Sequence, residues 1–363
     1  MTDGLAHVDS PYGPPRLTVE LANACNLHCA YCLRDEDALY HHSPRFIDLD
    51  FMQRLLRDSS EIAGVTEVCF TGGEPTLHPH FEEAIAACAA RGLKVAFITN
   101  GWNFAELCGP LKQYRGSLNH VAFSIDGTNA AAHDRWRGKG SFERLIRAFS
   151  YCQRYQLPFV IKTGIRRDTV DHLEDIAMFA ARFGADRLAF AHLMPTSLVM
   201  EKNLALTMAE RRRAEEEIAL LRRIFKMKIG IDVGYYNIDP AAPCDALAGS
   251  GLNVDYRGRL TLCCNLSGFR GGTDESDVIA DLNQVTFADA YQRFRELSSK
   301  QLNLRKETLA AMQAEGVTPD LQTGSPCLFC LRTFGKNPWQ PAAPAGLINI
   351  SKSPNARKSV PSA

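Results

Sequence analysis

The chain has 363 residues, of which 45% are hydrophobic, so it is long enough for one large domain and a smaller one. Its 41 basic and 41 acidic residues give a formal net charge of zero. A nucleic-acid-binding protein usually carries a basic patch, so we expect no nucleic-acid partner. No run reaches the roughly 20 apolar residues of a membrane span, and the start lacks the basic and apolar regions of a signal peptide. We therefore expect no membrane partner and a cytoplasmic location.

Short runs rich in Val, Ile and Phe alternate with longer amphipathic stretches from Leu17 onward. The predicted strands are Leu17–Leu21, Glu67–Phe70, Lys94–Ile98, His120–Ile125, Phe159–Gly164 and Arg187–His192. The predicted helices are Asp50–Ala63, Phe81–Arg91, Phe104–Tyr114, Ser141–Tyr155 and Val170–Phe183. Strand alternating with helix predicts parallel β/α units, and therefore an α/β fold.

Six such units are too few for an eight-stranded barrel, so residues 16–206 are predicted to form an open, partial (β/α)6 TIM-like barrel. Ligands in such folds bind where the strands end, at their carboxyl ends. After His192 the rhythm changes to a charged helix near Met208–Phe225, an apolar strand and a hairpin around Arg257–Gly258. We predict a smaller C-terminal α+β iron–sulfur domain over residues 207–340. Residues 1–15 and 341–363 are predicted to be tails, the second one disordered.

Three of the twelve cysteines follow the first strand, in the segment Cys25-Asn-Leu-His-Cys29-Ala-Tyr-Cys32. Structural disulfides are rare in the cytoplasm, so clustered cysteines there suggest metal ligands. A loop with this spacing can bring each thiolate to a different iron of an iron–sulfur cluster, which usually has four cysteine ligands. With no fourth cysteine nearby, one iron would stay open. A zinc site or buried core cysteines are the alternatives from the cysteines alone.

This cysteine spacing after the first strand resembles the radical S-adenosylmethionine (SAM) superfamily. The resemblance implies that Cys25, Cys29 and Cys32 hold a [4Fe–4S] cluster whose open iron is chelated by the methionine part of SAM. The turn Thr71-Gly72-Gly73-Glu74-Pro75 resembles the GGE motif of the family, which receives the amino group of the cofactor. Glycines allow close backbone approach, and carbonyl and carboxylate oxygens accept hydrogen bonds from an ammonium group.

Two later strand ends resemble further segments that line the cofactor pocket in this family, Thr99-Asn100-Gly101 and Ser124-Ile125-Asp126-Gly127. Such tripeptides also occur as ordinary strand-to-helix turns. Arg166 is expected near the cofactor carboxylate or in solvent, and Tyr31 and Leu193 are expected against the adenine or in the core. The predicted cofactor contacts are Tyr31, Gly72, Gly73, Glu74, Asn100, Ser124, Asp126, Arg166 and Leu193. The run His133–Gly138 resembles a segment of the peptide-modifying branch whose role is mostly loop structure.

A second set of cysteines lies in the C-terminal part of the chain. Cys244 is followed by Gly258 after thirteen residues and by Cys263 after four more, with Cys327-Leu-Phe-Cys330 much later. This pattern resembles the twitch module, a shortened SPASM-like domain, which implies one auxiliary [4Fe–4S] cluster. The expected ligands are Cys244, Cys263, Cys327 and Cys330.

Two choices at this second set stay open. Cys264 is the alternative ligand to Cys263, and a zinc ribbon is the alternative to the cluster. The stretch Gln301–Gln322 is an atypical insertion for the module. The remaining cysteines show no ligand spacing and are predicted to be core residues: Cys69, Cys88, Cys108 and Cys152.

The resemblance implies an enzyme that cleaves SAM to a 5′-deoxyadenosyl radical, which removes hydrogen from a substrate carbon. We expect oxidative modification or cross-linking of a ribosomally made peptide, with an electron donor such as flavodoxin or ferredoxin. The alternatives are a dehydrogenase or epimerase of an aminocyclitol or sugar, and a non-enzymatic iron–sulfur electron carrier. No catalytic residue is predicted, although five residues lie where a substrate would reach: His192, Asp232, Tyr235, Tyr236 and Asp239.

Overall fold

The computed structural model describes residues 14–34, 44–270 and 275–336. The tail predicted for residues 341–363 lies outside these ranges, as does the N-terminal tail up to residue 13. Within the part of the chain that is described, no helix is both long and apolar enough to span a membrane.

Ten strands among these residues form one sheet, in the order β10-β9-β8-β1-β2-β3-β4-β5-β6-β7. The strands are β1 Arg16–Ala22, β2 Glu67–Gly72, β3 Lys94–Thr99, β4 Leu118–Ile125, β5 Phe159–Ile165, β6 Arg187–His192, β7 Lys228–Val233, β8 Gly251–Val254, β9 Arg259–Thr261 and β10 Val278–Asp281. Strands β1 to β7 are parallel neighbours, and β8 pairs in parallel with β1. Strands β8, β9 and β10 are joined by antiparallel pairing.

Helices connect the parallel strands β1 to β7, and the last three helices of the described residues follow β10. They are α1 Leu49–Ala63, α2 Phe81–Ala90, α3 Phe104–Leu111, α4 Ala130–Arg137, α5 Ser141–Tyr155, α6 Leu173–Arg182, α7 Ser197–Glu201, α8 Met208–Ile224, α9 Phe287–Ala314, α10 Leu321–Gly324 and α11 Pro326–Thr333. Short 3-10 turns lie at Pro75–Leu77, Lys112–Tyr114 and Val170–His172. All six predicted strands and all five predicted helices of the barrel are present, which confirms the α/β alternation.

The two faces of the sheet differ because side chains alternate along each strand. On β1, Leu17, Val19 and Leu21 belong to the apolar core that the helices cover, whereas Glu20 faces the other way. We call that second side the inner face. Its polar side chains include Glu20, Cys69, His120, Ser124, Lys162 and Asp232.

The parallel alternation runs further than the predicted boundary at residue 206. Helix α8 begins with a capping box, in which Thr207 and Glu210 satisfy each other's backbone N–H groups. Strand β7 then pairs in parallel with β6. The apolar strand predicted for a second domain is therefore the seventh parallel strand of the main sheet, because its backbone continues the same ladder.

The C-terminal segments also join this sheet. The predicted hairpin at Arg257–Gly258 is present, and Gly258 supplies the left-handed φ of +81° that its turn requires. The stretch Gln301–Gln322 is not an inserted loop, since its first half is the end of α9, a helix of 28 residues. The run His133–Gly138, predicted to be loop structure, lies mostly within α4, whose first turn is capped by Asn129.

Candidate active site

The cysteine loop follows β1 directly and carries Cys25, Cys29 and Cys32. Burial raises the pKa of Cys25 to about 12, and the charges of Glu74 and of the other two thiols act in the same direction. Burial likewise raises the pKa of Cys29 to about 11, with Arg137 opposing it. Thiols influence one another's pKa only at short range. The fold therefore brings the three predicted ligands together.

The glycine turn after β2 lies against this loop. Gly73 N donates to Ala22 O at 2.8 Å, and Glu74 N donates to Ala24 O at 2.8 Å. A Cβ atom on Gly73 would lie only 2.0 Å from Ala24 O, so no larger residue fits without moving the cysteine loop. The turn thus fixes the backbone immediately before Cys25.

The carboxylate of Glu74 is buried and bonds to the protein. Its Oε1 accepts hydrogen bonds from Thr76 N at 3.2 Å, Thr76 Oγ1 at 2.7 Å and Thr99 Oγ1 at 2.7 Å. Its Oε2 accepts from Asn100 N at 2.8 Å. Burial raises the pKa of Glu74, and these hydrogen bonds oppose the rise. The side chain joins the ends of β2 and β3, which leaves the half-buried Gly72 and Gly73 for a cofactor contact from this turn.

Asn100 links the end of β3 to the cysteine loop. Its Nδ2 donates to Asn26 Oδ1 at 2.8 Å, and its Oδ1 accepts from Trp102 N at 2.9 Å. Asn26 follows Cys25 in the chain, so this contact is a second attachment of the loop, next to the glycine turn.

Asp126, at the end of β4, is the centre of a buried charged group. Its Oδ1 accepts from Arg166 Nη1 at 2.6 Å, and its Oδ2 bonds to Arg137 and to the Tyr31 hydroxyl. Burial alone would raise the pKa of Asp126, but the charges of Arg137 and Arg166 hold it at about 2. Asp126 is therefore ionised at neutral pH.

Arg166 is completely buried, so its placement in solvent is wrong. Besides Asp126, it donates from Nε to Asp168 Oδ1 at 2.9 Å. Its guanidinium lies 5.3 Å from the centroid of the Tyr31 ring and 4.7 Å from that of Trp136. A cation over an aromatic face is attracted to it, so Arg166 holds both rings, which contact each other edge to face.

The remaining predicted contacts lie around this group. Leu193 follows β6 and belongs to a small apolar cluster against which Tyr31 and Trp136 pack. Ser124 is half-buried on the inner face, and no side-chain hydrogen bond is formed by it among the described residues. Tyr31, Asp126, Arg166 and Leu193 are thus close together, with Ser124 two residues below Asp126 on the same strand.

The sequence analysis missed the residues of α4 that reach this group. Arg137 Nη2 donates to the Tyr31 hydroxyl at 2.9 Å, and Trp136 Nε1 donates to Asp168 Oδ2 at 3.1 Å. Asp126 N donates to Nδ1 of His133, and burial lowers the pKa of this imidazole to about 4. The signal was available, because the helical segment that starts four residues after Asp126 carries Trp136 and Arg137 at its end, where they can fold back onto the strand end.

The second cysteine set gathers thiols from three distant segments. Cys244 lies in the loop after β7, Cys263 follows β9, and Cys327 and Cys330 share one face of α11. Burial raises the pKa of Cys327 to about 12, and the charge of Cys244 adds to the rise. The pKa of Cys330 is raised by burial and by the charges of Cys244 and Cys327. All four predicted thiols therefore lie near one another.

Three N–H donors point at sulfur atoms of this set. Gly234 N donates to Cys327 Sγ at 3.5 Å, and Gln301 Nε2 donates to Cys330 Sγ at 3.7 Å. Asn265 N donates to Cys263 Sγ at 3.4 Å. No three His, Cys, Asp or Glu side chains in the described ranges are arranged as ligands of a single metal ion. Ligands of a multi-iron cluster are spread over separate irons, so they need not converge on one point.

The cysteines outside both sets lie in two different environments, the apolar core and the inner face. Cys88, Cys108 and Cys152 lie in the apolar core, as predicted. The core prediction for Cys69 is wrong, because strand alternation turns it to the inner face, where Lys162 and Cys264 lie near its thiol.

Residues 19–180 match the family model described as the Radical SAM superfamily. The chain contains a radical SAM domain. The family implies a [4Fe–4S] cluster and SAM, and the donor set of this chain fits them. Three neighbouring thiols on one loop are suitable cluster ligands, because metal coordination deprotonates thiols that burial alone keeps protonated.

Relatives of known function share this domain. The chain is 34% identical over 185 residues to the mycofactocin maturase MftC of Mycolicibacterium smegmatis, covering 50% of this chain and 45% of MftC. It is 29% identical over 259 residues to the PqqA peptide cyclase of Methylorubrum populi, covering 69% of this chain and 66% of the cyclase. The chain thus spans about half the length of MftC and about two thirds of the cyclase.

Solved structures share the fold. SuiB of Streptococcus suis bound to S-adenosylmethionine superposes with a TM-score of 0.65 at 14% identity, covering 79% of this chain and 68% of SuiB. The structure of anSMEcpe with bound AdoMet gives 0.61 at 16% identity, covering 79% of this chain and 80% of that one. These likenesses confirm the α/β fold class with its sheet of parallel strands.

Proposed function

We propose that this protein is a radical SAM maturase that oxidatively modifies or cross-links a ribosomally made peptide. The observation that carries the proposal is the second cysteine set, whose four thiols meet beside the sheet that bears the cysteine loop. Two relatives support the substrate class, since one is named a maturase and the other a peptide cyclase.

The cysteine loop supplies the first site. Cys25, Cys29 and Cys32 would hold a [4Fe–4S] cluster, and the glycine turn and Asn100 position the loop that carries them. When bound, the cluster and SAM supply a carbon-centred radical that removes hydrogen from a substrate carbon. The buried group around Asp126 and Arg166 excludes water from one wall of the pocket, which protects a reactive intermediate from side reactions.

The second set would hold an auxiliary [4Fe–4S] cluster through Cys244, Cys263, Cys327 and Cys330. Cys263 is favoured over Cys264 because its sulfur accepts a hydrogen bond from Asn265 N, as the sulfurs of Cys327 and Cys330 accept hydrogen bonds from other N–H groups. The pKa of Cys264 is lowered to about 7, first by its hydrogen bond with Cys263 and then by the charge of Arg34.

The inner face is the proposed substrate surface. Lys162 Nζ lies 2.9 Å from Asp232 Oδ2, and both side chains are about one quarter exposed. Burial raises the pKa of Asp232, but Lys162 and Arg187 outweigh this effect and lower it. Asp232 is therefore an ionised carboxylate paired with Lys162 and Arg187, and this charged group can position a substrate on the inner face. The substrate radical would lose a proton to solvent and an electron to the auxiliary cluster, and flavodoxin or ferredoxin is the proposed class of the donor that reduces the first cluster.

The test begins with anaerobic reconstitution of the wild type and of the Cys25→Ala, Cys29→Ala, Cys32→Ala triple variant. We expect about eight irons in the wild type and about four in the variant, from four irons per cluster. Only the wild type should form 5′-deoxyadenosine. No cofactor cleavage by fully loaded wild type would contradict the proposal.

The substrate class is tested by mass spectrometry of short peptides encoded beside the gene, incubated with loaded enzyme, SAM and reductant. Oxidation should lower the peptide mass by two hydrogen atoms, in step with 5′-deoxyadenosine formation. Oxidation of an aminocyclitol or sugar, with every peptide unchanged, would contradict the peptide substrate. It would support the small-molecule alternative instead.

A further inference from the structure

Two buried arginines stand beside the second cysteine set without a carboxylate partner. Arg305 is 1% exposed and Arg211 is 3% exposed. Neither forms an ion pair within residues 14–34, 44–270 and 275–336. In both side chains the Nε–H group has no hydrogen-bond partner there.

Arg305 faces the second cysteine set from α9. Gln301 lies one helical turn before it on the same face and contacts Cys330 Sγ at 3.7 Å. The Nη2 of Arg305 donates to Asn237 O and, at 3.2 Å, to Gly324 O, three residues before Cys327. The acceptors of this guanidinium in the described protein are therefore neutral backbone oxygens.

Arg211 approaches the set from α8. Its Nη1 donates to Gly234 O at 2.9 Å, and the N–H of the same Gly234 donates to Cys327 Sγ. Its Nη2 donates to Leu193 O at 3.3 Å. Arg211 thus links Leu193, a predicted adenine contact, to Gly234, whose N–H group contacts Cys327.

Glu215, the acidic residue near Arg211 in the described part of the chain, bonds to other groups. Glu215 lies one turn along α8, but its Oε1 is 3.0 Å from His192 Nε2 and accepts from Tyr236 N at 3.1 Å. It forms no ion pair with Arg211 within 4 Å in the described part of the chain. The positive charge of Arg211 is therefore not neutralised by a direct contact.

An unpaired buried cation is costly, because desolvation is not repaid by an opposite charge. Two such cations around four buried thiols are consistent with a negatively charged occupant. An iron–sulfur cluster with four thiolates is such an occupant, and its reduction potential depends on nearby charge and on hydrogen bonds to sulfur.

We propose that Arg211 and Arg305 compensate the charge of the auxiliary cluster and raise its reduction potential, which suits it to accept an electron. This inference rests on the auxiliary cluster of the proposed function. The two cations stabilise the reduced form more than the oxidised form, because reduction adds one negative charge. The electron comes from the substrate carbon radical and leaves to a protein electron carrier.

The test measures the midpoint potential of the auxiliary cluster by EPR-monitored redox titration. The parent protein is the full chain with Cys25, Cys29 and Cys32 replaced by Ala, loaded with iron and sulfide, so that only one cluster contributes. Arg305→Met and Arg211→Met should each bind as much iron as the parent. Each should shift the one-electron reduction equilibrium at least tenfold toward the oxidised form, about 59 mV lower. Arg295→Met, an exposed change on the same helix α9, should leave the potential unchanged.

Each remaining outcome decides the matter. Equal iron and an unchanged potential in both Met variants would overturn the inference. If Arg305→Met binds no iron, Arg305→Lys must restore both iron and the parent potential; failure of the Lys variant would show that shape, not charge, matters. A parent that binds no iron would instead contradict the auxiliary cluster of the proposed function, and the inference with it.

Discussion

Arg166 Nη1 lies 2.6 Å from Asp126 Oδ1, and both side chains are completely buried. The pair joins the end of β4 to the residue that follows β5, at the edge of the sheet where the cysteine loop also lies. Arg137 and Tyr31 complete the same group from α4 and from the cysteine loop. One carboxylate therefore fixes three separate segments of the candidate active site.

Removing the arginine of this pair should be strongly destabilising. We expect Arg166→Met to lower the free energy of unfolding by about 3 to 5 kcal/mol, because it leaves a buried carboxylate short of a partner. Urea unfolding monitored by circular dichroism measures the change. The exposed pair Arg147–Glu143 provides the control, and Arg147→Met should cost at most about 1 kcal/mol. Equal effects of the two variants would mean that Asp126 is not held by Arg166.

The low pKa of Asp126 predicts a specific acid sensitivity. Its pKa of about 2 lies below the unfolded value of about 3.9. The stabilisation is therefore complete above pH 4 and is lost as the pH falls through about 2. The difference in unfolding free energy between wild type and Asp126→Asn, measured by urea titration from pH 5 to 2, should shrink toward low pH. Taking the difference cancels Glu20 and Glu74, whose raised pKa values act in the opposite direction. A constant difference over this range would contradict the assignment.

The features that could be predicted from the sequence are those whose patterns are local in the chain, and contacts between distant residues could not be predicted. Strands and cysteine loops were predictable because alternation and ligand spacing are local. The partner of Arg166 was not, since nothing near residue 166 distinguishes a buried arginine from an exposed one. The same holds for Arg305, since nothing in the sequence around it indicates that α9 buries this arginine. Pairing of β7 with β6 depends on the sheet as a whole, so it could not be predicted from the change of rhythm after His192.

Glu74 should act as a structural acceptor for the glycine turn. Gln at this position keeps the shape but places an NH2 group against either the Asn100 N–H or the donors of Thr76 and Thr99. We expect Glu74→Gln to lower the unfolding free energy by about 2 to 3 kcal/mol, the value of hydrogen bonds to a buried charge. Thermal and urea unfolding measure it. Glu83→Gln, at an exposed site in α2, should change stability by less than about 0.5 kcal/mol.

The choice between Cys263 and Cys264 can be settled by iron counting. In a protein that already lacks the three loop cysteines, Cys263→Ala should lose the iron of the second set, whereas Cys264→Ala should keep about four irons. The expectation follows from the hydrogen bond that Asn265 N donates to Cys263 Sγ, and from the charges of Arg34 and Glu20, which act on the Cys264 thiol instead. Loss of iron in Cys264→Ala with retention in Cys263→Ala would reverse the assignment.

Gly73 provides the sharpest test of how the turn positions the cysteine loop. A Cβ at this position would stand 2.0 Å from Ala24 O, and Gly73 N already donates to Ala22 O, so the loop before Cys25 must shift. Gly73→Ala should therefore lose the first cluster and fall from about eight irons to about four, with the second set still loaded. Gly116→Ala is the matched control, since no atom outside the neighbouring residues lies within 4 Å of its added Cβ, and it should keep all iron and change the free energy of unfolding by less than about 0.5 kcal/mol. Full iron loading of Gly73→Ala would show that the turn can move without the cysteines, and would separate the glycine motif from cluster binding.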